Sequence, residues 1–539
     1  MREAARIGAG AAVALSQAGI IRPLPARTLR RVINARRHLG DSLATLVAAS
    51  AARWPDRPAI IDDAGTITFA QLHVRATALA CGLASQFGAG PDRSIAVLCR
   101  NHRGIVEAAA AAGRLGADLL LLNTDFAGPQ LADVLSRERP GVLILDEEFL
   151  PALGFAGADA PPAIVAWHDA PATSMTTVEE LATAPLPARP PRPTRASRLT
   201  ILTSGTTGRP KGARRSVGGP AMLGVVASVL HRLGLRTGDP IAVAVPLFHG
   251  YGFALAILSI VLGGPLVLCR RFDADELLRQ IARHRIAMLA VVPVMLKRLL
   301  DAPGGHDRSS LRVVLSGAAP LDPPLARRAL DAWGDVLCNG YGSSETGIAT
   351  LATAADLRVD PGSVGRPVLG ATVRVYDDAD RPLPPGETGR VFVGSGMLFT
   401  GYTGGDGDGR SDDRIGGLVS TGDVGHLDAA GRLSIDGRAD DMIVSGGENV
   451  YPQEVEDVLH GHPEIADVAV LGVSDGEFGQ RLAAWVVRAE GADLDEDAVR
   501  AFVRERLARY KVPRDVHFVD ELPRTATGKV RRRALPGRD

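Results

Sequence analysis

The sequence predicts an α/β protein. A large multi-subdomain N-terminal domain of βα-layered sheets carries a small β subdomain and is followed by a small α+β C-terminal domain. Three observations predict this. Residues 42–150 alternate short apolar strands with Ala-rich helical stretches, and further βα units run to about 350. From about 361 short strands such as TVRVYD and GRVFVG are separated by turns of the PPGETG type. The stretch 438–539 reads as a compact α+β unit.

The elements follow in chain order. Residues 1–41 form an N-terminal extension. Its start, MREAARIGAGAAVALSQAGII, imitates a signal peptide. It is too short and too rich in Gly and Ala to span a bilayer. We read it as a helix packed on the body. The sharper alternative is a weak peripheral membrane contact, because Arg27, Arg30, Arg31, Arg36 and Arg37 follow. IAVLC at 95–99 predicts a strand, 105–117 a helix and 118–123 another strand. APLPARPPRPTRA at 184–196 is a Pro-rich surface connector, and LTILTSG after it is a strand running into a loop. Residues 241–269 contain no Lys, Arg, Asp or Glu, yet Pro246, Gly250, Gly252, Gly263, Gly264 and Pro265 interrupt them. That pattern predicts strand, loop, helix and strand, all buried, rather than a membrane span. TGGDGDGRSDD is a loop by composition, a hinge is expected within 435–441, and helices are predicted at 452–460 and 495–509.

Composition narrows the function classes. Apolar residues make up 46% and charged residues 23% of 539, as in ordinary globular proteins. The formal net charge is +0, so no global field favours nucleic acid or anionic lipid. Cys81, Cys99, Cys269 and Cys338 are scattered without a CxxC spacing, which suggests neither zinc site nor disulfide framework and fits a reducing cytoplasm.

Residues 203–212, TSGTTGRPKG, have the composition of a phosphate-holding loop. Gly205 and Gly208 free backbone N–H groups to ring an anion, Ser204, Thr206 and Thr207 add hydroxyl donors, and Lys211 adds charge. A Walker-type loop would place a helix-opening hydroxyl after the lysine, and here Gly212 stands instead. Position after the apolar strand RLTIL favours phosphate over a plain surface loop.

With this motif the chain resembles the adenylate-forming acyl-CoA synthetases, relatives of luciferase and of nonribosomal adenylation domains. The resemblance runs from about residue 42 to 535, and further motifs match in order. It implies that Thr203 through Gly208 and Lys211 hold the β- and γ-phosphates of ATP. In NGYGSSETG it makes Glu345 the magnesium ligand and Tyr341 the adenine stack, with Gly340, Gly342 and Ser344 beside the nucleotide. The family often has threonine where Ser344 stands, and the hydroxyl is kept. In STGDVGHLDAAGRLSIDGRADD it places Asp423 and Arg438 on the ribose and makes Asp440 the pivot of the C-terminal domain. In SGGENVYPQEVE, Ser445, Gly446 and Gly447 would line the coenzyme A tunnel. In LPRTATGKVRRRAL, Lys529 would bridge the substrate carboxylate and the α-phosphate, offsetting repulsion that grows in the transition state.

The implied reaction has two steps. A carboxylate attacks ATP to give acyl-AMP and pyrophosphate, then the C-terminal domain rotates and coenzyme A takes the acyl group, releasing AMP. PLFHGYG places His249 at the mouth of an apolar stretch, bordering the acyl pocket, and SGAAPL places the small Gly317 along it. No acid stands beside PLFHGYG to grip an α-amine, and FALAILSIVL follows, so a medium- to long-chain fatty acid is the expected substrate. Three rivals share these motifs: an acyl-AMP ligase feeding a separate carrier protein, a luciferase-like oxygenase, and a binding protein without activity.

Overall fold

A computed structural model of the chain describes residues 2–535 apart from 171–172, 187–190, 205–209, 216–219, 320, 322, 344–345, 378, 396–413, 439–442, 446, 451, 477–478, 524–529 and 531–534. Among the described residues the strands fall into three sheets.

The first runs in the order Ala163–Trp167, Val142–Asp146, Ile95–Leu98, Leu119–Leu121, Leu199–Ser204, Pro210–Arg215. The first five are parallel, and the last joins antiparallel. Ile95–Leu98 and Val142–Asp146 are buried along their whole length, as strands covered on both faces must be. The predicted helix 105–117 is Arg103–Leu115, capped by His102, whose ring Nδ1 accepts from the Gly104 N–H. Its Ala108–Ala112 run is at most 4% exposed, because small side chains let the helix lie close to its neighbours. Glu107 on this helix is fully buried and is held by Arg75 Nε at 2.5 Å.

The second sheet is larger. Its parallel centre runs Pro58–Asp62, Leu266–Val267, Ile241–Val243, Met288–Val291, Val313–Gly317, Leu337–Ser343. Beyond Leu337–Ser343 it continues antiparallel through Gly347–Ala352 and Ser363–Pro367 into the strands of 371–438. These form the small β subdomain predicted from the change of texture. The uncharged stretch 241–269 is a buried strand, loop, helix Gly250–Leu262 and strand.

The helix Arg2–Gln17 packs through Ala11 and Ala14 onto Ala227 of the helix Pro220–Leu233, as the packed-helix reading expects. A second helix, Ala26–Leu39, lies against Leu43–Arg53. Among the described residues no helix is long and apolar enough to cross a membrane.

The third sheet lies within 443–518. It orders Glu448–Val450, Ile443–Ser445, Gly479–Arg488 and Ile465–Asp475, with Asp515–Phe518 parallel to Gly479–Arg488. Alternate residues face opposite sides. Val468, Val470, Ala484 and Val486 pack under the helices Pro452–His460 and Glu496–Arg504. Ala469, Leu471 and Trp485 pack with Leu522 and Leu535 on the other side. The second helix is shorter than the predicted 495–509. Asp495 caps its start, and after Arg504 the chain turns to bury Leu507 and Ala508. The loop at 403–413 and the hinge residue Asp440 lie outside the described residues.

Candidate active site

An open α/β sheet leaves a crevice outside the carboxyl ends of its parallel strands. Here Val313–Gly317 and Leu337–Ser343 end side by side, with Gly317 opposite Gly340. A Cβ on Gly317 would lie 3.2 Å from the Gly340 carbonyl oxygen and 3.6 Å from Cζ of Tyr251. Glycine therefore lets a neighbouring strand and an aromatic ring close on this point. The Tyr251 hydroxyl donates to the Leu315 carbonyl at 2.8 Å, and burial raises its pKa. Ala318, just past the strand, holds φ +66, a conformation L residues rarely take.

Tyr341, in the strand Leu337–Ser343, donates its hydroxyl to Asp423 Oδ2 at 2.6 Å. Asp423 is 8% exposed and lies opposite Arg438 in the ladder between Leu418–Leu427 and Leu433–Arg438. The structure thus joins three positions that the sequence assigns to the nucleoside. Two residues further on, Ser343 and the buried Thr346 clasp one another. The Ser343 N–H donates to Thr346 Oγ1 at 3.1 Å, and the Thr346 N–H to Ser343 Oγ at 3.2 Å. Ser344 and Glu345, which the clasp brackets, lie outside the described residues.

The phosphate-loop motif spans a hairpin. Thr203 and Ser204 end one strand, Pro210 begins the next with Lys211 and Gly212 after it, and Thr203 pairs with Lys211. The sequence reads this as strand into loop, and the return strand was not foreseen. Lys211 therefore stands in a strand, whereas a Walker lysine opens a helix. Gly205, Thr206, Thr207 and Gly208 lie outside the described residues.

His249 sits at the N-terminus of Gly250–Leu262. The buried Asn101 fixes the segment before it. Its Nδ2 donates to the Val243 and Val245 carbonyls at 3.3 and 2.9 Å, and its Oδ1 accepts from the Leu247 N–H at 2.8 Å. Asn101 follows the strand Ile95–Leu98, so one side chain ties the first sheet to the approach to His249. His249 Nε2 lies 2.7 Å from Glu448 Oε1, and Glu448 belongs to the hairpin 443–450 of the third sheet. Burial disfavours the imidazolium, but the Glu448 charge and hydrogen bond, with Asp125 nearby, outweigh it and raise the His249 pKa. The neighbouring Asp125 is also raised, by burial first and then by Glu448.

The same hairpin places Gly447 against the crevice. Gly447 holds φ +89, and a Cβ there would reach Val292 Cγ1 at 3.4 Å and the Ala318 carbonyl at 3.9 Å. Asn123 Nδ2 and the Tyr510 hydroxyl, 3.5 Å apart, make a second link between the first and third sheets. The structure therefore brings together His249, Gly317, Gly340, Tyr341, Gly447 and Glu448 where the parallel strands end. Ser445 pairs with Glu448 within the hairpin. Gly446, Asp440 and Lys529 lie outside the described residues. Val530, next to Lys529, packs on the Trp485 side of the third sheet.

The apolar run gives no specific support for a fatty acid. Phe253, Leu255, Ala256, Leu258, Ile260 and Leu262 are buried in the main core, while Ala254 is exposed and Ile257 and Val261 are half-buried. Sequence reasoning also missed Asn101, Tyr251, Thr346 and Glu448. The last three stand inside quoted motifs, and Asn101 follows a predicted strand. Among the described residues Cys99, His102 and Asp146 cluster as metal ligands would. Yet His102 bonds Asp146 at 2.7 Å and caps its helix, so the group is a buried structural contact.

The model of the family described as AMP-binding enzyme matches residues 47–403, and the model of its C-terminal domain matches 454–529. The chain is 35% identical to the indoleacetate–CoA ligase of Aromatoleum aromaticum over 491 residues, 90% of this chain and 94% of that one. It resembles the amide bond synthetase McbA of Marinactinospora thermotolerans, with a TM-score of 0.81 at 30% identity over 91% of this chain and 98% of that one. It also resembles the o-succinylbenzoate–CoA synthetase of Bacillus subtilis. The form bound with a product analogue gives a TM-score of 0.80 at 28% identity, over 92% of this chain and 98% of that one. The same enzyme in complex with AMP gives 0.65 at 28% identity, over 91% and 98%.

Proposed function

The chain belongs to the AMP-binding enzyme family, whose CoA ligases join an acid to coenzyme A through an acyl-AMP at the expense of ATP, and we propose that its acid is compact and ring-bearing. The observation that carries this is the Tyr251 ring closing on Gly317 beside His249. The relative that acts on indoleacetate supports the same reading. A flat aromatic acid stacks or packs edge-on against such a ring over a small area, whereas a long alkyl chain needs a deep apolar channel.

Roles follow from position. Tyr341, Asp423 and Arg438 take the adenosine, with Gly340 and Gly342 beside it. Thr203, Ser204 and the turn to Lys211 take the departing pyrophosphate. Glu345 would hold magnesium. A carboxylate oxygen suits a hard cation, and Ser343 and Thr346 on either side of this stretch bond one another. Such a cation would neutralise phosphate charge without a helix-opening hydroxyl after Lys211. Lys529 offsets repulsion between the acid and the α-phosphate in the first step. Ser445, Gly446 and Gly447 border the thiol's path in the second.

We place the domain boundary at 438, with Asp440 as pivot. The arrangement described above, with Glu448 on His249, is assigned to the thioester-forming step. The higher TM-score with the product-analogue form than with the AMP form supports that assignment. A panel from acetate through arylacetates and arylpropenoates to palmitate, scored by AMP release with coenzyme A, tests the acid. Preference for an aromatic acid is expected, and preference for palmitate would refute it. Pyrophosphate release that yields product only with an added carrier protein or amine, and none with coenzyme A, would refute the acceptor.

A further inference from the structure

The family match begins at residue 47, beyond the helix Ala26–Leu39, and none of the site residues assigned above lies in that helix. From Arg22 to Gly40 the sequence carries Arg22, Arg27, Arg30, Arg31, Arg36 and Arg37 and no acid, in a chain whose overall charge is +0. Only Arg36 has an acidic partner among the described residues, the exposed Asp41 at 3.1 Å.

The helix has two unlike faces. Thr28, Val32, Ala35 and Leu39 recur at helical spacing and are half-buried or buried toward the body. The opposite side is exposed at Arg27, Arg30, Arg31, Arg36 and Arg37. Among these cations stand Leu29 at 46% and Ile33 at 42% exposure, and Ile21 just before the helix is 53% exposed. Large aliphatic side chains on a protein's outermost surface, ringed by arginine, suit a phase that offers anionic groups and hydrocarbon together. A nucleic-acid backbone offers only the first. The remaining polar uses of arginine, such as carboxylate pairing, leave Leu29 and Ile33 in water.

We propose that the outer face of Ala26–Leu39 binds the surface of an anionic lipid bilayer. The arginines meet headgroup phosphates, and Leu29, Ile33 and Ile21 enter the boundary with the acyl chains. The helix lies in the plane of the surface and does not cross it, since a span needs about 20 apolar residues. The body of the enzyme is thereby held at the membrane.

The test uses the full chain with phosphatidylcholine vesicles, with and without phosphatidylglycerol, in a sedimentation assay over a range of salt. Binding is expected only with phosphatidylglycerol, and should weaken as salt rises. Arg30→Gln with Arg37→Gln should lower vesicle affinity by roughly thirtyfold, at about 1 kcal/mol for each cation near the surface. Leu29→Ser with Ile33→Ser should also weaken binding while keeping the salt dependence. All four side chains are exposed, so ligase activity without vesicles and the circular dichroism spectrum should stay unchanged. No binding at low salt would overturn the proposal. So would equal binding to phosphatidylcholine alone, or capture of a DNA duplex that the serine variant retains while vesicles are ignored.

Discussion

His249 Nε2 donates to Glu448 Oε1 at 2.7 Å, and through this bond the hairpin of the third sheet meets the end of the second. Glu448 belongs to the part of the chain expected to rotate, and His249 to the part that stays. The bond therefore exists in one arrangement of the two.

Replacing Glu448 by Gln should slow thioester formation from supplied acyl-AMP by about tenfold, the scale of one charge-assisted hydrogen bond. Adenylate formation, followed by exchange of pyrophosphate into ATP, should be unaffected. Equal loss in both assays would mean that the pair serves folding rather than one step.

The same pair makes the arrangement sensitive to pH. Docking raises the His249 pKa, so the docked form binds a proton more tightly than the undocked one, where the imidazole returns toward its ordinary value near about 6.5. Docking is then favoured most at pH below that ordinary value, and the gain is lost as pH rises through the raised value. Asp125, raised by burial and by Glu448, shifts the balance in the same direction, while Arg100 and Arg509 nearby oppose it. Energy transfer between labels on the two units should fall with rising pH. Glu448→Gln should flatten the curve; an unchanged curve would assign the titration to other groups.

The Tyr341 hydroxyl donates to Asp423, the residue proposed for the ribose. Tyr341→Phe keeps the ring proposed for adenine but removes this bond to the carboxylate. KM for ATP should rise about tenfold with kcat little changed, read from initial rates at saturating acid. A kcat loss without a KM change would put Tyr341 in the chemistry instead.

Stability depends on a pair remote from the site. Glu107 is fully buried and Arg75 neutralises it, with Glu179 on the outer side of the arginine. Arg75→Met leaves a buried carboxylate without its partner and should cost about 3 kcal/mol in urea unfolding. Adding Glu107→Leu to that variant should recover most of the loss. Failure of the second change to help would show that the packing of Arg75, rather than its charge, is what matters.

Periodicity and composition made much of the fold legible. The strand at 95–98, the Ala-rich helix after it and the change of texture near 361 stand where apolar alternation and turn residues put them. The site was legible as motifs and not as geometry. Asn101 reaches Val243, Val245 and Leu247, and Glu448 reaches His249, across separations that no local pattern encodes. FALAILSIVL is ambiguous for a physical reason: a helix packed into a core and the wall of an acyl channel have the same composition. TSGTTGRPKG reads as strand into loop, and the pairing of Thr203 with Lys211 reveals the return strand.

We propose that one site is served in turn by two parts of the C-terminal region, Lys529 for the adenylate and the hairpin of Glu448 for the thioester. The most direct measurement is the pair of half-reactions in Lys529→Ala. Pyrophosphate exchange should be abolished, while transfer from supplied acyl-AMP to coenzyme A proceeds at close to the unmodified rate. Loss of both half-reactions together, with the fold intact, would contradict the account.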